Sequence, residues 1–184
     1  MGDMGPLTDG SIRLRSPRHG DAVAIWAHAR HPEIEETYWL PIRRNASREE
    51  AAELCRELMA GWTGQGRHGP VMIVTSEDAD VVIGIVYLPR PGENEIAYGV
   101  APEARGRGIA TRALRLACDH LFSERPALTR LELRISPSNV ASRRVAERVG
   151  FAFRGIERRR SSALEGISED AVYILGRPPA QPGR

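Results

Sequence analysis

Glu95 to Leu114, EIAYGVAPEARGRGIATRAL, divides into three parts. Glu95 to Val100 reads as a strand. Ala101-Pro102-Glu103-Ala104 is a turn, because Pro102 cannot donate to a ladder. From Arg105 the spacing predicts a helix running through Ala113, Leu114, Leu116 and Ala117. Gly106 and Gly108 allow a ligand close to the backbone. A helix start presents N–H groups without partners and the positive end of the dipole. Together they suit an anion, a phosphate above all.

Two familiar phosphate loops do not fit. The chain has no GxxxxGK[ST], and no lysine at all. A dinucleotide loop would need GxGxxG, with an acidic residue about 20 positions on at a strand end. Here Gly106-Arg107-Gly108 is followed by Ile109-Ala110-Thr111. Taken alone, the stretch is either an anion site or a glycine-containing turn without a ligand.

Four blocks, Arg105 to Ala110, Asn139 to Phe151, Ile12 to Ala22 and Asp170 to Leu175, together resemble the GCN5-related N-acetyltransferase (GNAT) superfamily. Arg105-x-x-Gly108-x-Ala110 is similar to its acetyl-CoA signature. Asn139-x-x-Ser142, followed by Glu147-Arg148-Val149-Gly150-Phe151, resembles its second motif. Ile12-Arg13-Leu14-Arg15 with Asp21-Ala22, and Asp170-x-x-Tyr173-x-Leu175, resemble the opening and closing of the RimJ/RimL-like branch, named after ribosomal-protein N-acetyltransferases. The blocks keep family order from residue 12 to residue 175.

Composition bounds the rest. The 184 residues, 41% hydrophobic and 27% charged, suit one globular domain with a sizeable core. No apolar run approaches the ~18 residues of a membrane span. MGDMGPLTDG lacks the basic and apolar regions of a signal peptide, so a cytoplasmic location is expected. Net charge is +2, and all 26 basic residues are arginine. Glu157-Arg158-Arg159-Arg160 is too short a basic run for a nucleic-acid footprint; it reads as a solvated strand face or a phosphate contact. Cys55 and Cys118 lie in apolar helical surroundings and read as buried small side chains. No Cys/His spacing suggests a metal.

Along the chain, Ile12–Arg15 alternates like a strand with one wet face. Asp21–Ala29 is helical. Ser47-x-x-Glu50 is a capping box opening a second helix, which ends at Gly61 or Gly64. Val71–Thr75 and Val81–Leu88 form a hairpin that leads back into Glu95. Leu131–Ile135 should run parallel to the Glu95 strand, since a helix joins them. Ser138 or Asn139 caps a helix over 140–149, with Val145 and Val149 on its apolar side, and Gly150 stops it. Phe151–Arg160 and Ala171–Leu175 form a last antiparallel pair. The expectation is one α/β domain over 11–176, with flexible ends at 1–10 and 177–184. Its sheet is mixed and mostly antiparallel, with about seven strands flanked by about four helices.

The resemblance implies more. The ligand would be acetyl-CoA or a related acyl-CoA, lying where the Glu95 and Leu131 strands splay. Backbone N–H groups of Arg105, Gly106, Arg107, Gly108, Ile109, Ala110 and Thr111 would hold its pyrophosphate, helped by the two arginine side chains. The reaction would be direct attack of an amine on the thioester. The Val100 N–H would meet the oxyanion and Glu95 would serve as base, with Glu33, Glu35 and Glu36 as alternatives. A one-residue change of strand phase would turn Glu95 to solvent. Many relatives carry tyrosine where this chain has Ala146, which leaves Ser142 as donor to the sulfur. Asn139 would bond the pantetheine or merely cap its helix. Tyr38 and Trp39 would wall an acceptor pocket or belong to the core, and 161–167 would fold over the acceptor. Acceptors in this class are peptide N-termini or small amines. Relatives of this branch are often dimers, which allows a homodimer. The competing readings are an acyl-CoA sensor or partner subunit without chemistry, and a phosphate-binding domain outside the family.

Overall fold

The computed structural model describes residues 5–31, 42–66, 69–161 and 166–179. It divides into two units, Met1–Glu93 with Ala97–Ala117, and Asn94–Ile96 with Cys118–Arg184.

The first unit holds a five-stranded antiparallel sheet in chain order: β1 (Leu7–Thr8), β2 (Ile12–Arg15), β3 (Val71–Ser76), β4 (Val82–Tyr87) and β5 (Ala97–Val100). The meander follows from short polar turns between apolar runs. β1 lies inside the stretch expected to be flexible. Its two residues, too few for a periodic signal, pair with Arg13 and Leu14. Helices α1 (Asp21–His28) and α2 (Arg48–Trp62) belong to the same unit. The capping box forms as expected: Ser47 Oγ accepts from Glu50 N–H, and the Glu50 carboxylate accepts from Ser47 N–H. Gly64, at φ +76°, follows the end of α2. Cys55, on α2, donates to the Arg18 carbonyl at 3.0 Å, and burial pushes its thiol up to about 11, so it stays protonated and inert.

β2 departs from the expected wet face. Ile12 and Leu14 are buried, but Arg15 is only 8% exposed. Its guanidinium makes a two-pronged contact with Asp21 at 2.6 and 2.9 Å, and its Nε–H bonds Asp80 at 2.9 Å. Asp21 is 3% exposed and also accepts from Arg18 N–H at 2.9 Å. Full pairing is what permits this burial. It also gives a physical reason for the Arg15…Asp21 spacing: the pair ties the end of β2 to the first turn of α1.

β5 is held to β4 through a close pair, Gly84 opposite Val100. A Cβ on Gly84 would lie 2.7 Å from the Gly99 carbonyl oxygen. Gly84→Ala therefore pushes the β5 backbone away. We expect a loss of about 1–3 kcal/mol, read by urea unfolding.

The second unit contains β6 (Arg130–Ile135), β7 (Ala152–Ser161) and β8 (Gly166–Gly176), antiparallel in the order β6-β8-β7. Helix α3 (Ile109–Glu124) begins in the first unit and ends in the second; α4 (Val140–Val149) lies in the second and contacts β6 and β7. On β6, Leu131, Leu133 and Ile135 are buried while Glu132 and Arg134 take the opposite face. Gly150, at φ +108°, ends α4. On α4 it is Ala146 that is fully buried, while Val145 and Val149 are only half-buried. Arg177, placed by sequence in the flexible tail, is anchored instead. It donates to the carbonyls of Leu128, Phe122 and Arg125 at 3.0, 2.6 and 2.5 Å, and its guanidinium lies over the Phe122 ring. It thereby caps the C-terminal end of α3.

Among the described residues there are four α-helices and eight mostly antiparallel strands. The expected parallel pairing is one bridge, Glu95 with Glu132. Ile96 N–H donates to the Glu132 carbonyl (2.9 Å), and Glu132 N–H to the Asn94 carbonyl (2.8 Å). The regular strand expected from Glu95 begins only at Ala97.

Candidate active site

The first part of the site runs from the end of β5 into α3. Ala101 N–H donates to the Ile83 carbonyl on β4 at 2.9 Å. Backbone groups alternate along an antiparallel strand, so the N–H groups of Ala97 and Gly99 also face β4. Those of Tyr98 and Val100 face the opposite edge, and β5 is the last strand of its sheet. The Val100 N–H expected to meet an oxyanion thus lies on the side away from β4.

A short 3-10 turn, Pro102–Ala104, follows. The sequence suggested that α3 opens at Arg105, but it begins at Ile109. Gly106 and Gly108 have φ of +77° and +74°, which an α-helix cannot contain. A Cβ built on either glycine meets nothing within 4 Å, so the loop's glycine face is open. The first helical bond is Arg112 N–H to the Gly108 carbonyl at 3.1 Å. The N–H groups of Ile109, Ala110 and Thr111 therefore have no partner within the helix. Residues 105–114 contain no acid, and Arg105 and Arg107 are exposed. Open space, helix-start N–H groups and positive charge suit an anion such as a phosphate.

The loop is tied down on both sides. Arg112 pairs with Asp9 at 3.4 Å and with Ser11 Oγ. His28, on α1, has Nε2 3.0 Å from the Val82 carbonyl and Nδ1 3.4 Å from Glu103 on the 3-10 turn. The Arg105 side chain, expected to serve the phosphates, donates from Nε to the Val100 carbonyl at 3.3 Å.

The second unit carries the remaining candidates. Glu95 is half-exposed and paired with Arg159 at 3.1 Å, with Arg134 at 3.8 Å. Arg134 also meets Glu132 at 2.7 Å and Glu157 at 2.9 Å. Arg159 Nε lies 2.9 Å from Asp170 Oδ2, close enough for ion pairing but off the hydrogen-bonding direction, so that oxygen accepts no hydrogen bond. One face of the three-stranded sheet is thus an alternating lattice of charge that includes Glu95. Sequence reasoning found Glu95 but missed these arginines. The signal was the Glu157–Arg160 run, which reads in the sequence as a solvated strand face or a phosphate contact.

Asn139 does cap α4, its side chain accepting from Ser142 N–H at 3.0 Å. Ser142 is half-buried in the helix's first turn. Ala146, at the tyrosine position of many relatives, is 0% exposed, so a ring there would have to displace neighbouring side chains. The Tyr173 hydroxyl, on β8, instead accepts from Arg143 Nε–H at 3.0 Å and donates to Glu147 at 3.3 Å. Tyr38, Trp39, Glu33, Glu35 and Glu36 lie outside the described residues, as do 162–165 of the expected acceptor loop. Among the described residues, no group of three His, Cys, Asp or Glu is placed to hold a metal, and no helix is long and apolar enough to cross a membrane.

Comparison with known proteins matches residues 11–152 to the acetyltransferase (GNAT) domain. The chain belongs to the GNAT family. A Bacillus subtilis protein named Probable N-acetyltransferase YjcK is 39% identical over 75 residues, covering 41% of this chain and 40% of that one. The matched stretch spans about two fifths of the length of the curated relatives. Among solved structures, a Vibrio cholerae protein described as a ribosomal-protein-serine acetyltransferase superimposes with a TM-score of 0.78. It is 20% identical, and the match covers 96% of this chain and 99% of that one. RimL, a ribosomal L7/L12 alpha-N-protein acetyltransferase solved with coenzyme A, gives 0.76 at 16% identity, over 94% and 98%. At such identities these two likenesses concern the fold.

Proposed function

We propose that the chain is an acetyl-CoA-dependent N-acetyltransferase acting on a primary amine, through a ternary complex and without a metal. One observation carries this most: an open, acid-free anion nest at 106–111 follows, after one short turn, a sheet-edge strand whose last N–H is directed away from its partner. Acyl transfer from a coenzyme A thioester needs both, a seat for the nucleotide phosphates and a donor for the oxyanion. The family match and the coenzyme bound in RimL support the donor.

In the proposed reaction Glu95 takes a proton from the ammonium of the acceptor. The amine nitrogen attacks the thioester carbon, the N–C bond forms, and the oxygen becomes an anion received by Val100 N–H. The carbonyl re-forms as the C–S bond breaks. The attacking nitrogen gives its second proton to water as the amide forms, the thiolate takes the Ser142 hydroxyl proton, water returns a proton to Ser142, and Glu95 releases its proton to solvent. Arg107 and the N–H groups of 106–111 bind the phosphates. Asn139 orders the first turn of α4 and so sets the position of Ser142. A peptide N-terminus or a small amine is the acceptor class, the former favoured by the ribosomal relatives. We place the protein in the cytoplasm and leave its assembly as a monomer or a homodimer. Tyr38 and Trp39 are proposed to line the acceptor pocket.

Glu95→Gln keeps the shape and removes the base. We expect kcat to fall about 100-fold while acetyl-CoA binding is unchanged, read by steady-state thiol release and by titration calorimetry. A kcat within a factor of about three of wild type would assign the base elsewhere.

A further inference from the structure

Arg105 opens the signature loop, and its charge is naturally given to the pyrophosphate. Its geometry is different. Its Nε–H donates to the Val100 carbonyl at 3.3 Å, across the turn that separates strand from loop. An extended residue directs its N–H and its C=O to the same side. The Val100 carbonyl therefore faces the same edge as the Val100 N–H. Left uncapped, it would set a negative partial charge beside the place where the oxyanion forms. The rest of the turn is closed by backbone bonds, Ala104 N–H to the Ala101 carbonyl (2.9 Å) and Arg105 N–H to the Pro102 carbonyl (3.2 Å). The guanidinium contact adds a side-chain link from loop to strand end.

We infer that Arg105 is a positioning residue for acyl transfer. Its guanidinium caps the Val100 carbonyl, fixes the last peptide of β5, and brings positive charge to the edge where the thioester oxygen is received. This rests on the acyl-transfer reading but goes beyond it, by moving Arg105 from binding the nucleotide to supporting the chemical step. A fixed, charge-assisted contact acts most on the charged transition state and least on the ground state. Arg107, two residues on and exposed, is the phosphate-facing comparison.

The test uses two acetyl donors, acetyl-CoA and S-acetylpantetheine, which lacks the nucleotide and its phosphates. Arg105→Ala, Arg105→Gln and Arg107→Ala are compared with wild type, each checked for folding by its melting curve. Arg105→Ala is expected to lower kcat about tenfold with either donor. Arg105→Gln, which keeps an N–H donor, recovers part of that loss. Arg107→Ala raises KM for acetyl-CoA and leaves the pantetheine reaction unchanged. If the Arg105→Ala defect lies in KM for acetyl-CoA and disappears with S-acetylpantetheine, the side chain serves the phosphates and the inference is overturned. An unchanged kcat with both donors overturns it as well. Should Arg105→Ala not fold, Arg105→Gln against wild type carries the same comparison, with a smaller loss common to both donors. A folded wild type inactive with both donors would overturn the acyl-transfer reading itself, and the inference with it.

Discussion

Gly108→Trp is expected to abolish acetyl-CoA binding while leaving the protein folded. Gly108 stands at φ +74° with nothing within 4 Å of a built Cβ, so a side chain there starts in open space. Its cost there is the left-handed backbone, about 1–2 kcal/mol. The ring would fill the open face where the phosphates are proposed to sit. A ligand at 100 times its Kd adds about 2.7 kcal/mol to native stability, which for a chain of this size raises the melting point by about 5–10 °C. Wild type should show that shift with acetyl-CoA, and Gly108→Trp none. Gly108→Ala separates strain from bulk: it carries the same backbone cost and should retain a reduced shift. A full wild-type shift in Gly108→Trp would place the nucleotide elsewhere.

The second large effect is on stability. Asp21→Ala removes the two-pronged partner of Arg15 and leaves a buried guanidinium held by Asp80 and the Ser16 carbonyl. Breaking a buried pair from one side costs about 3–5 kcal/mol, or a melting point lower by about 6–20 °C. The double variant Arg15→Met, Asp21→Ala should be less damaged than Asp21→Ala alone, since no half-paired guanidinium remains buried. Equal or greater damage in the double variant would show that packing, and not charge, dominates at this position. Differential scanning calorimetry distinguishes the two.

These two sites also show what was legible in the sequence. The loop was legible because glycine, arginine and a following apolar helix are local features, and the capping box and Gly150 were legible for the same reason. The start of α3 was misplaced by four residues: both Gly106 and Gly108 adopt left-handed conformations that composition permits but does not require. The burial of Arg15 was not legible. Alternation assigns a charged residue to the wet face unless partners are known, and Asp80 lies far along the chain. Glu95 was found, but its surroundings were not. Arg134 and Arg159 come from β6 and β7, and strand pairing is a tertiary fact. β1 escaped because two residues cannot display a period. Ala146 was seen as a departure from relatives; its complete burial adds that the packing around α4 is built for a small side chain.

Catalysis is tested most directly by amine-dependent release of coenzyme A thiol from acetyl-CoA. The acceptors are a set of peptides with free N-termini, a polyamine and an aminoglycoside, with product mass recorded in parallel. The account predicts thiol release that requires one of these amines, matched mole for mole by its acetylated product. It also predicts a large loss of that rate in Glu95→Gln and its absence in Gly108→Trp. A folded protein whose melting point rises with acetyl-CoA, yet which acetylates none of these amines and releases no thiol, would contradict transfer and leave a coenzyme-binding protein in its place.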